Sequence, residues 1–521
     1  MKYTIYCCTL FISVIGVSVA PTAAQDEGIS ISGEHRAIMP VPASDRYFDY
    51  NGELKMPRIE NDIDLKVQHS EVTLRAGLRL KTRLVKTPTQ TDRFVVYPLE
   101  NNVTLEHGPL RASLGYQYYS WGTADKLNPT DNINPRDYTT GTDADKLSIF
   151  SASVQYYVSD RFSLQGVYVP FEEPDLFPVD VAAKLSPALF RRVRMSSLSV
   201  KQSGVLPSFE TVDGTATVRI SDPGYDPSSF LAGGRARFTG NTFDISLSYL
   251  YDMDPYYTPR LTFMPYTPVD AATVIDAAIP AEVLTRLPSQ FWALDSIELY
   301  RERIHRIGFD MKTTLDRFGL WAEGCYSLTT DTDNSSWKHR NHFFEWTLGL
   351  DFFWGADDQH YINIQQIGHV VVNYDQDFLH DYPEGQPAHL QLADKSAMEE
   401  YYYRLLTNRL SYTSEEVLCG AAIRSEWSLL NGDIKPAIEG VYLYPYGYDD
   451  SRGTRLGDLI GKAAFTWNPA DAVAFELGAQ GYYALFRPKG KNTIENIDEN
   501  RIGLFFPQSR VYFITVFNWS R

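Results

Sequence analysis

The 521-residue chain is poor in cysteine and, beyond its N-terminus, contains no long apolar run. Of its 4 cysteines, Cys7 and Cys8 lie close to the start, which leaves Cys325 and Cys419 for the rest of the chain. Two cysteines cannot crosslink a fold of this size, so a disulfide-stabilised scaffold is excluded, although the sequence leaves open whether these two pair. Because no later stretch reaches about 18 consecutive apolar residues, the chain offers no transmembrane helix.

The chain also lacks an excess of positive charge and the common signatures of catalysis. Its 48 Lys and Arg residues are outnumbered by 65 Asp and Glu residues, and the net charge of −17 excludes general attraction to nucleic acid. The glycine-rich phosphate loop, the H-E-x-x-H zinc motif, the G-x-S-x-G nucleophile motif and the C-x-x-C pair are absent. The 10 histidines follow no metal-ligand spacing. We therefore expect no enzymatic activity, no cofactor and no metal site.

The N-terminus has the layout of a cleavable secretory signal. Lys2 supplies a positive charge, an apolar run follows from Leu10 to Ala20, and the small residues 22–24 precede the polar Gln25. This layout predicts a signal peptide over residues 1–24 and a secreted mature chain.

The mature chain is rich in aromatic residues and alternates between apolar and polar positions. The alternation is clear in 110–118, 243–251 and 473–480, and 14% of all residues are aromatic. The alternating segments run to about 10–14 residues, enough for a tilted strand to cross a bilayer, and aromatic residues gather near their ends. Short turns alternate with long loops. These features predict an all-β fold, a transmembrane antiparallel up-and-down β-barrel of about 16–18 strands, with long extracellular loops that contain short helices.

The sequence suggests two parts in the mature chain. Residues 25–61 are polar and carry three prolines, so we expect an N-terminal segment that is periplasmic or plugs the barrel, followed by the barrel over 62–521. Helices are expected in two loops, over 179–189 and 270–287. One stretch does not fit: counting strands back from the C-terminus places the long segment 375–398 on the short-turn side.

A distinctive motif spans residues 121–138, W-G-T-A-D-K-L-N-P-T-D-N-I-N-P-R-D-Y. It resembles the W-G-x-A-D…D-x-x-N-P-x-D-Y loop of a broad, uncharacterised family of bacterial outer-membrane barrels, loosely related to porin and alginate-export barrels. The resemblance covers roughly residues 95–180 and implies a fold and an outer-membrane location, whereas the family's substrates are mostly unknown. The residues that carry it are Trp121, Gly122, Asp125, Asp131, Asn134, Pro135, Asp137 and Tyr138.

The motif also has a physical interpretation of its own. Its Asn-Pro pairs fix turns, and its aspartates can accept backbone N–H bonds, which predicts a rigid, self-bonded loop beside the barrel mouth. Such a loop could be a structural latch on the outer rim, or it could line the entrance.

The polar strand faces predict a charged lumen, because a cation facing lipid near the midplane would cost about 2–4 kcal/mol. The predicted basic row comprises Arg75, Arg79, Lys81, Arg83, Arg111, Arg235 and Arg237. The predicted acidic row comprises Glu323, Glu345, Asp351, Glu439 and Glu476. We expect a basic wall from the first half of the chain and an acidic wall from the second. The alternative is that these charges pair within the wall and fill space.

Three function classes remain open. The favoured one is a porin-like channel in the outer membrane of a Gram-negative-type envelope, which passes small polar or anionic solutes by diffusion. The others are a carrier for hydrophobic compounds and a structural or surface-interaction barrel with a blocked lumen. The expected partners are the lipid bilayer, the outer-membrane assembly machinery and small-molecule solutes, with no nucleic acid. The sequence fixes neither the solute nor the oligomeric state.

Overall fold

Alternating apolar and polar residues form long β-strands through most of the chain in the computed structural model. The structure describes residues 28–42, 57–84, 94–124, 128–138, 142, 144–176, 192–194, 210–212, 217–221, 227–266, 291–355, 358–374, 395–411, 415–446, 449–450, 453–488 and 509–520. The strands of the barrel wall are β1 Gly28–Pro42, β2 Arg58–His69, β3 Val72–Arg83, β4 Phe94–His107, β5 Leu110–Gln117, β6 Ile149–Ser159, β7 Phe162–Val169, β8 Leu231–Thr239, β9 Phe243–Tyr266, β10 Phe291–Leu315, β11 Phe318–Leu328, β12 Phe343–Trp354, β13 His360–Val371, β14 Val417–Trp427, β15 Ile434–Tyr446, β16 Gly453–Ala470, β17 Val473–Pro488 and β18 Arg510–Ser520. Two short strands, Thr217–Ser221 and Asp449–Asp450, add to the same sheet beside β10 and β16. One helix, α1, spans Lys395–Ser411.

These strands close into an antiparallel barrel of 18 strands. Each strand pairs with the next along the chain, and β1 pairs with β18, where Gly33 lies opposite Trp519. Closure leaves the barrel no free sheet edge, which is the condition for a sheet to cross a bilayer. The predicted fold class is confirmed, at the upper end of the predicted strand number.

Short turns and long loops occupy opposite ends of the barrel, which we call the turn end and the loop end. At the turn end, β2 and β3 are joined through Ser70 and β10 and β11 through Asp316, residues with φ of 53° and 55° respectively. At the loop end, β5 and β6 are joined by residues 118–148 and β13 and β14 by residues 372–416. The turn end is therefore the periplasmic one and the loop end the extracellular one.

The outer surface of the barrel carries a continuous apolar band with aromatic residues at both margins. On β3 the outward side chains are Val72, Leu74, Leu78 and Leu80, each at least 37% exposed. Aromatic side chains exposed near the turn end include Phe243, Trp354, Trp467 and Trp519, and those nearer the loop end include Phe150, Tyr168 and Tyr444. An outward apolar band between two aromatic girdles is the surface that a barrel presents to lipid. The protein is an outer-membrane barrel.

The N-terminal segment predicted over 25–61 is wrong where the structure describes it. Residues 28–42 are β1, hydrogen-bonded on one side to β2 and on the other to β18, and residues 58–61 already belong to β2. The prolines misled the prediction. The pairing of β1 with β2 ends at Ile38, so Pro40 and Pro42 have only β18 as a strand neighbour. A proline is tolerated at such a position because its missing backbone N–H is not needed for a hydrogen bond to a second strand.

The placement of 375–398 on the short-turn side is also wrong. β13 and β14 are neighbours in the barrel, and the connection between them leaves β13 and enters β14 at the loop end, where Val370 lies opposite Val417. The count fails because residues 395–411 form a helix instead of a wall strand. This helix packs on the extracellular extension of the β9–β10 hairpin, where the Leu261 amide donates to the Tyr403 hydroxyl at 3.1 Å.

Some expectations lie outside the described residues. They concern the signal peptide over 1–24, the N-terminal stretch 43–56, the loop helices over 179–189 and 270–287, and Asp125 of the motif. In the described part of the chain, no helix is long and apolar enough to cross a membrane. Cys325 and Cys419 are both free thiols, so they do not pair.

Candidate functional site

The connection between β5 and β6 is described over residues 118–124, 128–138, 142 and 144–148, and these residues bond to one another through side-chain amides; we call them the crossing loop. The Asn134 amide donates to the Gln117 and Leu147 carbonyls at 2.9 Å each, and its oxygen accepts the Tyr119 N–H at 2.6 Å. The Asn128 amide donates to the Trp121 carbonyl at 2.9 Å. These bonds satisfy backbone groups that a loop away from water would otherwise leave unpaired. The loop is therefore a self-supporting unit.

Trp121 fixes one face of the crossing loop against the inside of the barrel wall. Its side chain is 2% exposed, and its indole N–H donates to Gln165 Oε1 on β7 at 3.0 Å. The apolar cluster around it combines loop residues with residues of β6 to β9, namely Tyr119, Ile133, Ile149, Val167, Val169, Leu231 and Leu250. Gly122 follows with φ of 96°, and a Cβ there would collide with Asn128. The loop consequently covers the inner face of β6 to β9.

The flanks of the crossing loop are anchored to two distant strands. On β3, Lys81 contacts Asp137 at 3.5 Å and Arg79 contacts Asp145 at 3.4 Å. On β11, the Glu323 carboxylate accepts the N–H groups of Thr123 and Ala124.

The position of these anchors places the loop across the lumen. β3 and β11 are eight places apart on the 18-strand ring, close to diametrically opposite. Of the two alternatives for the motif, the latch on the outer rim does not fit its described residues, because 121–124 and 128–138 lie within the barrel. Among the described residues, the loop occupies the part of the lumen beside β6 to β9, and the space on the opposite side is left unfilled by them.

The predicted basic row lies on the inner face but does not form a basic wall. Arg79 makes a two-pronged pair with Asp62 on β2, with both N···O distances 2.8 Å. The other pairs join Arg75 to Glu100, Arg111 to Glu106 at 3.4 Å, Arg235 to Asp310 at 3.0 Å and Arg237 to Asp244 at 2.9 Å. Arg83 lies opposite Arg58, which bonds Glu60 at 2.7 Å. The predicted separation into a basic and an acidic wall is wrong, since acids of neighbouring strands face these cations.

The five residues of the predicted acidic row have different surroundings. Glu323 holds the crossing loop. Asp351 accepts the Tyr361 hydroxyl at 3.3 Å, and Glu476 accepts the Tyr512 hydroxyl at 2.8 Å. Glu345 and Glu439 line the open part of the lumen. The structure does not bring the row together as one acidic surface.

Two cavities lie along the open part of the lumen. The upper cavity, about 420 Å³, lies between the crossing loop and the wall formed by β12 to β17. The lower cavity, about 220 Å³, lies nearer the turn end against β14 to β17. Arg424, Glu439 and Lys462 line both cavities. The two cavities therefore adjoin, and these three residues stand at their junction. We call the two cavities together the passage.

The junction residues belong to a row of polar side chains in cross-strand register, which we call the charged rung. In order around the wall from β13 to β18, its members are Asn363, Arg424, Glu439, Lys462, Gln480 and Arg510. Arg424 also bonds Glu426 at 2.7 Å, one step toward the turn end. The rung contributes three cations and one carboxylate to the inner face.

The charged rung could have been found in the sequence. Arg424 follows Ile423, whose side chain is exposed on the outer face of β14, so Arg424 faces inward. Lys462 likewise lies at an inward position of the alternating strand β16. The same inward-facing argument that singled out Arg79 applies to both residues. The argument also applies to Arg306 on β10, whereas no local signal marks Arg340 as a lining residue of the upper cavity, because Arg340 comes from a loop.

The motif tyrosine contributes no charge to the passage. Tyr138 lines the upper cavity, and burial raises the pKa of its phenol above its usual range. Two residues before it, the Arg136 side chain donates to Asp131 Oδ2 at 2.9 Å, and the Arg136 backbone N–H donates to Asp175 at 2.7 Å.

Among the residues that the structure describes, no group of His, Cys, Asp and Glu has a metal-binding arrangement.

No protein-family model and no curated protein sequence matches this chain. Among solved structures, it is similar to OccAB4 of Acinetobacter baumannii, with a TM-score of 0.48 and 8% identity over 96% of this chain and 98% of that one. It is similar to OpdK of Pseudomonas aeruginosa with vanillate, with a TM-score of 0.48 and 7% identity over 95% and 99%. It is similar to OccD3 of Pseudomonas aeruginosa, with a TM-score of 0.45 and 10% identity over 95% and 91%. These distant likenesses of barrel form supply no argument about function.

Proposed function

We propose that this protein is a porin-like channel that passes small polar solutes, preferably anionic ones, across the outer membrane by diffusion. The observation that carries the proposal is the passage beside the crossing loop, whose lining includes charged side chains of both signs. The loop narrows the barrel but leaves two consecutive cavities of about 420 and 220 Å³ along β12 to β17. Spaces of this size admit a small metabolite one molecule at a time.

The lining of the passage favours charged and polar solutes over hydrophobic ones. Arg306, Arg424 and Lys462 stand among its cations, and Glu345 and Glu439 among its acids. A carrier for hydrophobic compounds would need an apolar route, since an apolar solute cannot replace the hydrogen bonds of the water that it displaces. A structural barrel with a blocked lumen would need these cavities to be isolated from both ends.

The preference for anions rests on the charged rung. At this level the three cations Arg424, Lys462 and Arg510 face one rung carboxylate, Glu439. A local excess of positive charge in a narrow, partly desolvated passage concentrates anions and repels cations. The passage beyond the rung contains charges of both signs, so we expect a moderate preference.

Replacing Lys462 with glutamine should reduce the preference for anions. The loss of one cation at roughly 4 Å from a passing anion removes about 1 kcal/mol of attraction, which corresponds to about a fivefold lower anion permeability at low salt, and cation permeability should rise. The measurement is the reversal potential of the refolded mature protein in a planar bilayer under a salt gradient. The matched variant is Glu439→Gln, the neighbouring rung residue, which should shift the reversal potential in the opposite direction.

Two outcomes would count against the proposal. If the folded protein showed no stable conductance steps, the channel function would be wrong and a blocked barrel would be favoured. If steps were present but neither variant moved the reversal potential, the passage would not run past the charged rung. Heat-modifiable migration on a gel serves as the folding control for each variant.

A further inference from the structure

A cationic cluster lies on the outer face of the barrel, away from the passage. The Arg303 guanidinium carbon lies 4.6 Å from the ring centre of Phe230 and 4.8 Å from that of Tyr251. One of its nitrogens, Nη1, donates to the Phe230 carbonyl. We call this the Arg303 cluster, together with its neighbours Tyr168, Tyr249 and His305, since Phe230 also approaches Tyr168 with ring centres 6.0 Å apart.

The surroundings of Arg303 show that it faces the lipid side. Tyr168 and Tyr251 both lie opposite Ala232, and Tyr251 lies opposite His305, so these residues share one face of the wall. That face is the outer one, because Tyr168 is 48% and Tyr249 45% exposed. Glu302, which points the other way, instead bonds His339 at 2.7 Å.

The height of Arg303 corresponds to the extracellular headgroup level. It lies on β10 about 12 residues above the turn at Asp316, and a strand rise of about 3.3 Å with a tilt near 40° converts this to about 30 Å. The apolar band of an outer-membrane barrel is about 25 Å tall. Arg303 therefore lies just above the extracellular aromatic girdle, where lipid headgroups carry their charges.

Arg303 differs from nearby arginines because no carboxylate pairs with it in the described part of the chain. Arg301 on the same strand bonds Glu172 at 2.9 Å, and Arg260 bonds Glu298 at 2.8 Å. The two flanking rings hold the Arg303 side chain in place, and no carboxylate of a described residue pairs with its remaining N–H groups. A fixed cation at this level complements a phosphate, which guanidinium groups bind in a two-pronged geometry.

We propose that the Arg303 cluster binds the phosphate of a phosphorylated lipid headgroup in the outer leaflet of the membrane. The guanidinium contacts the phosphate, His305 and the tyrosine hydroxyls lie beside the headgroup sugar, and the rings pack on the upper acyl chains. His305 is held in position by a 2.7 Å hydrogen bond between its Nδ1 and the Tyr249 hydroxyl. The site is independent of the solute passage and of its proposed selectivity.

The test measures binding of diphosphoryl lipid A to the full mature protein in detergent by native mass spectrometry. Arg303→Gln should weaken binding by about tenfold to a hundredfold, the range expected for a lost charge-assisted contact. Arg303→Lys should recover part of it. The matched control is Arg317→Gln, because Arg317 lies 5.5 Å from the Phe318 ring in the β10–β11 turn at the opposite end of the barrel. This control should bind lipid A like the unaltered protein.

Three results would overturn the proposal. The first is equal lipid A binding by Arg303→Gln and the unaltered protein, both checked for folding by heat-modifiable migration. The second is an equal loss in Arg317→Gln, which would show general attraction to interfacial arginines. The third is equally tight binding of dephosphorylated lipid A, which would exclude phosphate as the recognised group. Displacement of lipid A by millimolar inorganic phosphate would also overturn the proposal, because the site would then be one for free phosphate and not for a lipid.

Discussion

Replacing Glu323 with alanine should increase the single-channel conductance roughly twofold or more, because the crossing loop loses its anchor on β11 and the passage widens. Glu323 accepts the N–H groups of Thr123 and Ala124, and the Thr130 hydroxyl approaches its other oxygen at 3.3 Å. Hydrogen bonds to a charged acceptor contribute about 1.5–3 kcal/mol each to stability. Their joint loss is several times the thermal energy, so the loop should no longer be held against β11. The measurement is single-channel recording in planar bilayers, in which we also expect noisier open states.

The matched control for this variant is Glu345→Ala. Glu345 lies opposite Cys325 on the neighbouring strand and lines the upper cavity. No bond from the crossing loop to Glu345 is found among the described residues. Its removal should change ion selectivity and leave the size of the conductance step nearly unaltered. If Glu323→Ala and Glu345→Ala changed the conductance equally, the effect would come from charge alone, and the loop would not set the width of the passage.

Much of the fold follows from the period-two alternation, and its failures have identifiable causes. The wall from β2 onward alternates clearly, because one face meets lipid and the other the lumen. β1 was missed because Pro40 and Pro42 suggested an irregular segment, whereas a strand end with one neighbour accommodates them. Residues 395–411 were not recognised as a helix, since their clustered tyrosines and leucines also suit a strand.

The candidate site was harder to predict because its contacts join distant parts of the chain. The motif predicted a self-bonded loop, which follows from local Asn and Asp chemistry. Its position across the lumen depends on Lys81 and Glu323, which lie eight strands apart on the 18-strand ring and are distant from the motif in sequence. The inner charges were found strand by strand, but their pairing depends on register. Arg79 meets Asp62 because of the register between β2 and β3, which no single strand reveals.

The register of β8, β9 and β10 creates a buried ion pair, and breaking it should be strongly destabilising. Asp310 accepts two hydrogen bonds from Arg235 Nη2, at 3.0 and 3.1 Å, and one from the Ser246 hydroxyl. The two charged side chains are 9% and 4% exposed, beneath the crossing loop. Replacing Asp310 with alanine leaves a buried guanidinium without its counter-charge, which should lower the free energy of unfolding by about 3–5 kcal/mol. Urea unfolding of the barrel in lipid vesicles measures this value.

Two further variants distinguish the effect of leaving Arg235 buried without a counter-charge from the effect of losing contacts in general. Arg235→Met with Asp310→Leu removes both charges, and because the Coulomb attraction of a buried pair offsets little more than its desolvation, this variant should unfold close to the unaltered protein. Asp244→Ala breaks the neighbouring Arg237 pair, whose side chains are 48% and 31% exposed, and should cost at most about 1 kcal/mol. If the double variant were as unstable as Asp310→Ala, the contribution would lie in the hydrogen bonds to Ser246 and the loop, and charge burial would not explain it.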